Sequence, residues 1–382
     1  MNAPILHSGF DGLKFTVQTD ISPVFRELLA EAKAEAQKWR SDTGIECGGI
    51  TLAVRKSGGM AFSAHTGEDG AEWFFLDPQN RPPNNPGVTV DFRAALLANG
   101  GLEAARCHFE ECMAAFGIRY TDQQLRVSRI DFAIDILAPW FEPDRVCLTA
   151  PPGTKVTEFA PADMTETDCT GSRATGLRAG AVSGRQLAIY DKRAEVLKFR
   201  KRGWLEIWNK KLCSLGMPPL DLTVWTQSRV WRFELRMGSK QLRNRWEIRS
   251  WFDLDSMVGD AFQEFAERIK YREPNGLVNR SLWPEHELWL KVKETLARDM
   301  RHLKSGVAPK KFKEANRAEH IRMLDAQILG LMVSRAAAAQ ISEEEFDEFL
   351  QRHGQDLARA SKEHRIALPE RLANAAKKYR FR

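Results

Sequence analysis

Three segments hold side chains whose types and spacing suit chemistry. SRIDFAID (128–135) carries Asp131 and Asp135, RQLAIYDK (185–192) carries Tyr190 and Lys192, and WRFELRM (231–237) carries Glu234 between Arg232 and Arg236. Carboxylates bind hard divalent cations through oxygen, and such a cation polarises a phosphate oxygen. A tyrosine hydroxyl can attack as a nucleophile and form a covalent intermediate. Arginine and lysine neutralise charge that builds up in a transition state. Together these groups suit phosphoryl transfer. The competing reading is a solvated sheet face laced with cross-strand ion pairs. The recurrence of the same combination on three segments favours chemistry.

Each segment reads as a strand, because side chains alternate between two faces. Ile130, Phe132, Ile134 and Ile136 fall on one face of the first; Arg129, Asp131, Ala133 and Asp135 fall on the other. Leu187 and Ile189 oppose Gln186, Ala188, Tyr190 and Lys192; Trp231, Phe233, Leu235 and Met237 oppose Arg232, Glu234 and Arg236. Spacing limits the site. Residues four apart on a strand are about 13 Å apart, whereas a neighbouring strand is about 5 Å away. Asp131 and Glu234, on adjacent strands, are therefore the better ligand pair for one cation. Asp135 is either a further ligand or a structural partner for arginine. Only four tyrosines occur, and Tyr190 alone stands in a strand with a lysine two residues on. Lys192 on the same face would lower the phenol's pKa or hold phosphate.

The elements around these strands make a mixed chain. Strands are expected at 14–19, 50–55, 71–76 and 87–92, helices near 23–40 and 102–115, and one basic helix near 193–213. Prolines and glycine make 78–87 a loop, and 138–170 reads as a long one. Beyond about 253 the pattern is helical, with Ser342 and Glu345 spaced as a capping box. The fold expected is α+β: a largely antiparallel sheet with helices on one face and a polar active-site face, then an all-helical C-terminal region. The domains expected are 1–275, catalytic, and 276–382, helical and accessory.

Length and composition fit a globular protein: 382 residues, 43% hydrophobic and 28% charged. No stretch reaches the roughly 18 apolar residues of a spanning helix, and the start has no signal-peptide pattern. The six cysteines form no CxxC pair, which speaks against zinc and redox motifs. Reduced thiols in the cytoplasm and no membrane partner are the expectation. The net charge of +6 is unevenly placed: residues 171–250 hold 18 Lys and Arg against 6 Asp and Glu, while residues 1–170 hold 15 against 24. A basic block of this density is the footprint of a polyanion, foremost nucleic acid. Within it, Arg173, Arg178 and Arg185 stand among four glycines, as in a flexible hairpin that follows a DNA backbone. Residues 193–212 interleave basic residues with Phe199, Trp204 and Trp208, which either stack on unpaired bases or belong to the core.

At these residues the chain resembles the replication initiation factor family: trans-acting initiators of rolling-circle plasmids, with related relaxases of conjugative elements and phage initiators. SRIDFAID, TGSRATGLRAG (170–180), RQLAIYDKRAE and WRFELRM occur in the family's order, and the resemblance covers roughly 90–250. It implies a metal-dependent DNA nicking-closing enzyme, a tyrosine strand transferase. Tyr190 would attack the scissile phosphate, leaving a 5′-phosphotyrosyl link and a free 3′-hydroxyl. Asp131 and Glu234 would hold Mg²⁺ or Mn²⁺, with Asp135 a third candidate. Lys192 would assist, and Arg129, Arg173, Arg178, Arg185, Arg232 and Arg236 would contact DNA. The partner implied is origin DNA, single-stranded or hairpin, with a helicase and a second copy of the chain as further candidates. The alternative is a non-catalytic DNA-binding protein on the same fold. None of the eight histidines forms a His–apolar–His motif, in keeping with a carboxylate site.

Overall fold

A computed structural model describes residues 3–58, 60–67, 69–80, 85–159, 176–303, 309–364 and 367–372. In chain order the elements are β1 (Ile5–Val17), α1 (Pro23–Trp39), β2 (Thr43–Cys47), β3 (Ile50–Val54), β4 (Phe62–His65), β5 (Ala71–Phe75), β6 (Val88–Phe92), α2 (Ala94–Ala115), β7 (Leu125–Leu137), β8 (Leu148–Thr149), β9 (Val156–Phe159), β10 (Gly176–Gly180), β11 (Arg185–Asp191), α3 (Lys192–Lys198), α4 (Arg202–Ser214), α5 (Trp225–Ser228), β12 (Val230–Gly238), α6 (Ser239–Leu242), α7 (Trp251–Arg268), β13 (Lys270–Tyr271), α8 (Glu287–Asp299), α9 (Pro309–Ala338) and α10 (Phe346–Glu363). Short 3₁₀ turns join some of them. The architecture is α+β.

Eleven strands form one sheet in the order β2-β3-β4-β5-β6-β1-β7-β12-β11-β10-β9, and β8 pairs with β13 apart from it. Every pairing in the large sheet is antiparallel. The three chemistry-bearing strands lie side by side at its centre, β7 next to β12 and β12 next to β11. Their register sets Asp131 opposite Arg236, Asp135 opposite Arg232 and Tyr190 opposite Arg232.

The apolar face behaves as alternation predicts. Phe109 of α2 packs on Phe15 and Phe92, and Trp251 of α7 stacks on Phe15 at 4.3 Å. Phe262 of α7 meets Phe10 and Phe132, and Trp289 of α8 meets Phe233. Each large side chain buried this way contributes about 1.5–3 kcal/mol. The polar face is divided. Trp204, Trp208 and Leu212 of α4 pack on Leu6, Leu137 and Val230 at one end of the strands, so a helix also seals that end.

Local chemistry explains where the elements differ from the sequence expectation. The basic helix near 193–213 is two helices, α3 and α4. Between them the amide of Lys201 donates to the carbonyl of Val196, that of Arg200 to Leu197, and Arg200 has φ +52°. That pattern is a helix-ending Schellman turn. Half of the predicted capping box forms, the Ser342 amide donating to Glu345 Oε2 at 3.1 Å, while the Glu345 amide donates to the Ser342 carbonyl and α10 begins only at Phe346.

The chain divides into two compact units. The first comprises Met1–Arg243 and Ile248–Gly306, the second Asn244–Glu247 and Val307–Arg382. The sheet and α1 to α8 belong to the first; α9 and α10 belong to the second, where Ile328, Leu329, Leu331 and Val333 of α9 are exposed. Among the described residues no helix is long and apolar enough to cross a membrane.

Candidate active site

On the open part of the polar face lies a cavity of about 230 Å³ lined by Tyr190, Glu234, Asp131, Arg129, Arg236 and Arg178, together with Asp11, Gly12, Asp91 and Glu195. Tyr190 is 6% exposed, and its hydroxyl donates to Glu234 Oε2 at 3.1 Å. Arg236 grips the same carboxylate with both arms, Nε to Oε1 at 2.7 Å and Nη2 to Oε2 at 2.8 Å, and a third nitrogen reaches Gln186 Oε1. Arg129 holds both oxygens of Asp131, with Nε donating to Oδ1 at 3.0 Å.

Electrostatics separate the two carboxylates. Burial pushes Asp131 up to about 7, against the hydrogen bond from Arg129 and with the charge of Glu234 adding to the rise. Burial acts on Glu234 in the same direction, but the charge and hydrogen bonds of Arg236 outweigh it and hold the group at about 2. Burial, then the charge of Glu234, raises the Tyr190 phenol well above its ordinary value.

β1 explains how this cavity is floored. A register shift between Phe10 and Gly12 breaks its pairing with β7 and brings Gly12 opposite Asp131. A Cβ at position 12 would come within 2.7 Å of Asp131 Oδ2, so the close approach requires glycine. The irregularity also delivers Asp11 to the polar face, where it accepts from Arg232 Nη1 at 2.7 Å. Asp11, Asp91 and Glu195 escape the sequence reading. The signal for Asp11 was Asp-Gly inside an alternating run, a mark of a bulge.

Several predicted residues are placed elsewhere. Asp135 is fully buried, accepting from Arg232 Nε at 2.6 Å, Arg232 Nη2 at 2.9 Å and Trp208 Nε1 at 3.0 Å. It is the structural partner of arginine, outside the cavity lining. Arg232, 0% exposed beneath Trp204 at 4.2 Å, is sealed from any DNA surface. Lys192 is the first residue of α3, because Asp191 caps that helix by accepting from the Ala194 amide at 3.1 Å. Its ammonium donates to Glu195 Oε1 at 2.8 Å and lies 5.8 Å from the Tyr190 ring centre. Burial and the charge of Glu234 set the direction of the Tyr190 phenol, which is upward and not the lowering expected from Lys192. Arg185 shares the face of Leu187 and Ile189 and pairs with Glu264 of α7 at 3.4 Å, away from the cavity. Arg178 does line the cavity, on β10. Arg173 lies outside the described residues.

Among the described residues no three His, Cys, Asp or Glu side chains converge as a metal-ligand set. Asp131 and Glu234 remain a two-carboxylate pair facing one cavity. Each carboxylate has about four lone-pair sites, of which Asp131 spends two and Glu234 three on the bonds above. Mg²⁺ takes one or two carboxylates and fills its shell with water and substrate phosphate, so these two residues are the candidates to hold such an ion through the lone pairs that remain.

No family model matches the chain, and no curated protein does. Among solved structures the chain is similar to a rolling circle replication initiator protein from Geobacillus stearothermophilus, at 15% identity, with 77% of this chain and 97% of that chain covered and a TM-score of 0.39.

Proposed function

We propose that the chain initiates rolling-circle replication or transfer of a mobile element by nicking and rejoining one DNA strand through Tyr190. The observation that carries this reading is the Tyr190 hydroxyl donating to Glu234 inside a cavity that three arginines also line. Glu234, held ionised by Arg236, accepts the hydrogen bond of the Tyr190 hydroxyl and orients it, and the phenolic proton passes to solvent water as Tyr190 Oη bonds to phosphorus. The P–O3′ bond breaks, and its electron pair goes to the 3′ oxygen. A proton from solvent water reaches that oxygen, giving a free 3′-hydroxyl and a 5′-phosphotyrosyl link. The reverse attack reseals the strand. Arg129, Arg178 and Arg236 lie where they can offset the charge on the phosphoryl oxygens.

Asp131 and Glu234 would hold Mg²⁺ or Mn²⁺. When bound, the cation supplies Lewis-acid polarisation of a phosphate oxygen. The basic block 171–250 is the proposed source of DNA affinity, as its charge density suits phosphate. Origin DNA, single-stranded or hairpin, is the proposed substrate.

The test is covalent capture. Protein, a pool of single-stranded DNA from the adjacent replicon and Mg²⁺ or Mn²⁺ are mixed, with EDTA as control, and resolved under denaturing conditions. A metal-dependent adduct is expected with the natural chain and none with Tyr190→Phe, whose DNA affinity should stay within about twofold, since one hydroxyl adds little to a phosphate-dominated interface. Salt-sensitive DNA binding with no adduct would leave a non-catalytic binding protein instead.

A further inference from the structure

The turn between α3 and α4 presents an aromatic ring to solvent in a cationic setting. Phe199 is 43% exposed. Lys198 Nζ lies 5.7 Å and Lys201 Nζ 5.5 Å from its ring centre. Trp204 and Trp208, from the same stretch of sequence, are instead core residues. A single exposed aromatic is ordinary on a protein surface, but three features set this one apart.

First, the ring's backbone is fixed. The amide of Phe199 donates to the Glu195 carbonyl at 3.0 Å, and the Schellman bonds of Arg200 and Lys201 follow. Second, the turn is closed by Arg200 in the left-handed region at φ +52°, where glycine is the usual occupant; a basic side chain stands where conformation favours none. Third, the turn is tied to the cavity. Lys201 donates to Glu195 Oε1 at 2.7 Å, and Glu195 lines the cavity with Tyr190 and Asp131. Glu195 and Phe199 are one helical turn apart, about 6 Å along the axis.

We infer that this turn is a stacking platform for an unpaired base of the strand held at the cavity, with the Phe199 ring against the base and Lys198, Arg200 and Lys201 along the backbone. This rests on the proposed function for its substrate class. Every base has a π-face, so stacking tolerates any sequence, while flanking cations follow the phosphates. The platform selects single-stranded over paired DNA, because paired bases are not available to the ring.

The experiment uses the full chain in EDTA, with a fluorescein-labelled 20-nucleotide oligothymidylate and a 20-base-pair duplex as probes. Anisotropy titrations compare the natural chain with Phe199→Ala and Phe199→Trp. Phe199→Ala should weaken oligothymidylate binding about tenfold, within the range measured for base–aromatic stacks, with duplex binding changed less than about twofold. Phe199→Trp should retain affinity, and the salt dependence of Phe199→Ala should match the natural chain. Arg200→Gln should instead flatten the salt slope by about 0.7, the share of one single-strand phosphate. Unchanged oligothymidylate binding by Phe199→Ala, an equal loss on duplex, or no binding by the natural chain would each overturn the platform. The two readings fail separately. Ring-dependent binding with no tyrosine adduct sinks nicking alone, and an adduct with ring-independent binding sinks the platform alone.

Discussion

The two ends of one sheet face use the same residue types for opposite purposes. At one end Arg232 and Asp135 form a pair sealed by Trp204 and Trp208, which Asp11 joins from the cavity side. At the other, two to four residues along β12 and four or more along β7, Arg236, Glu234, Asp131 and Arg129 face a cavity with Tyr190. Both contain arginine–carboxylate pairs. The first has Arg232 and Asp135 matched to each other under a tryptophan lid. The second keeps carboxylate lone pairs and a tyrosine hydroxyl turned to an open volume. What distinguishes a structural network from a reactive one is the cover, supplied by α4, and not the composition of the strand.

Breaking the sealed end should cost the most stability. Arg232→Met leaves Asp135 and Asp11 without their counter-ion, and loss of one partner of a buried pair costs about 3–5 kcal/mol. Urea denaturation would read it as a drop in midpoint with an unchanged slope. Arg129→Met, at the cavity mouth, should cost about 1 kcal/mol: its guanidinium is partly exposed and screened by water, and Asp131 can meet the loss by taking up a proton. Equal losses at the two sites would erase the distinction drawn between them.

Activity should show the opposite order. Glu234→Gln keeps the shape of the pair but removes the charge that pairs with Arg236 and orients the Tyr190 hydroxyl, and strand cleavage should fall by about 10²-fold, the order of loss when a reacting group is misplaced. Cleavage within about threefold of the natural chain would remove Glu234 from that role.

A smaller effect follows from Asp131 and pH. Its pKa is raised in the folded state to about 7, above the unfolded value of about 3.9. The folded chain therefore binds more protons between those values. The group's contribution to stability is fully present below about pH 4 and is lost as pH rises through about 7. Without divalent cation, Asp131→Asn should flatten the fall in stability across that window. A slope unchanged by the substitution would mean that the carboxyl is ionised throughout.

How much of this the sequence held depends on range. Period-two alternation is local, so the apolar faces of β7, β11 and β12 were legible, as was the Asp131–Glu234 pair once those strands were read as neighbours. Asp135 looks identical to Asp131 in sequence; only the docking of α4, through Trp208 some seventy residues on, makes it structural. Lys192 was read along the strand although Asp191 is a helix-capping residue type that ends β11 before it. Arg185 was misplaced by its glycine-rich neighbourhood, while its odd parity with Leu187 and Ile189 pointed to the helix-covered face. The split of the basic helix at 199–201 carried no glycine or proline, because a Schellman turn closed by arginine leaves no ordinary punctuation.

The central claim is that Tyr190 is the nucleophile, and peptide mapping tests it most directly. The DNA-linked protein is digested with trypsin and nuclease, and the residual nucleotide is located by tandem mass spectrometry. The account predicts a 5′-phosphonucleotide on Tyr190 in the presence of Mg²⁺ or Mn²⁺ and none in EDTA. A nucleotide on any other residue, or cleavage that persists in Tyr190→Phe, would contradict it.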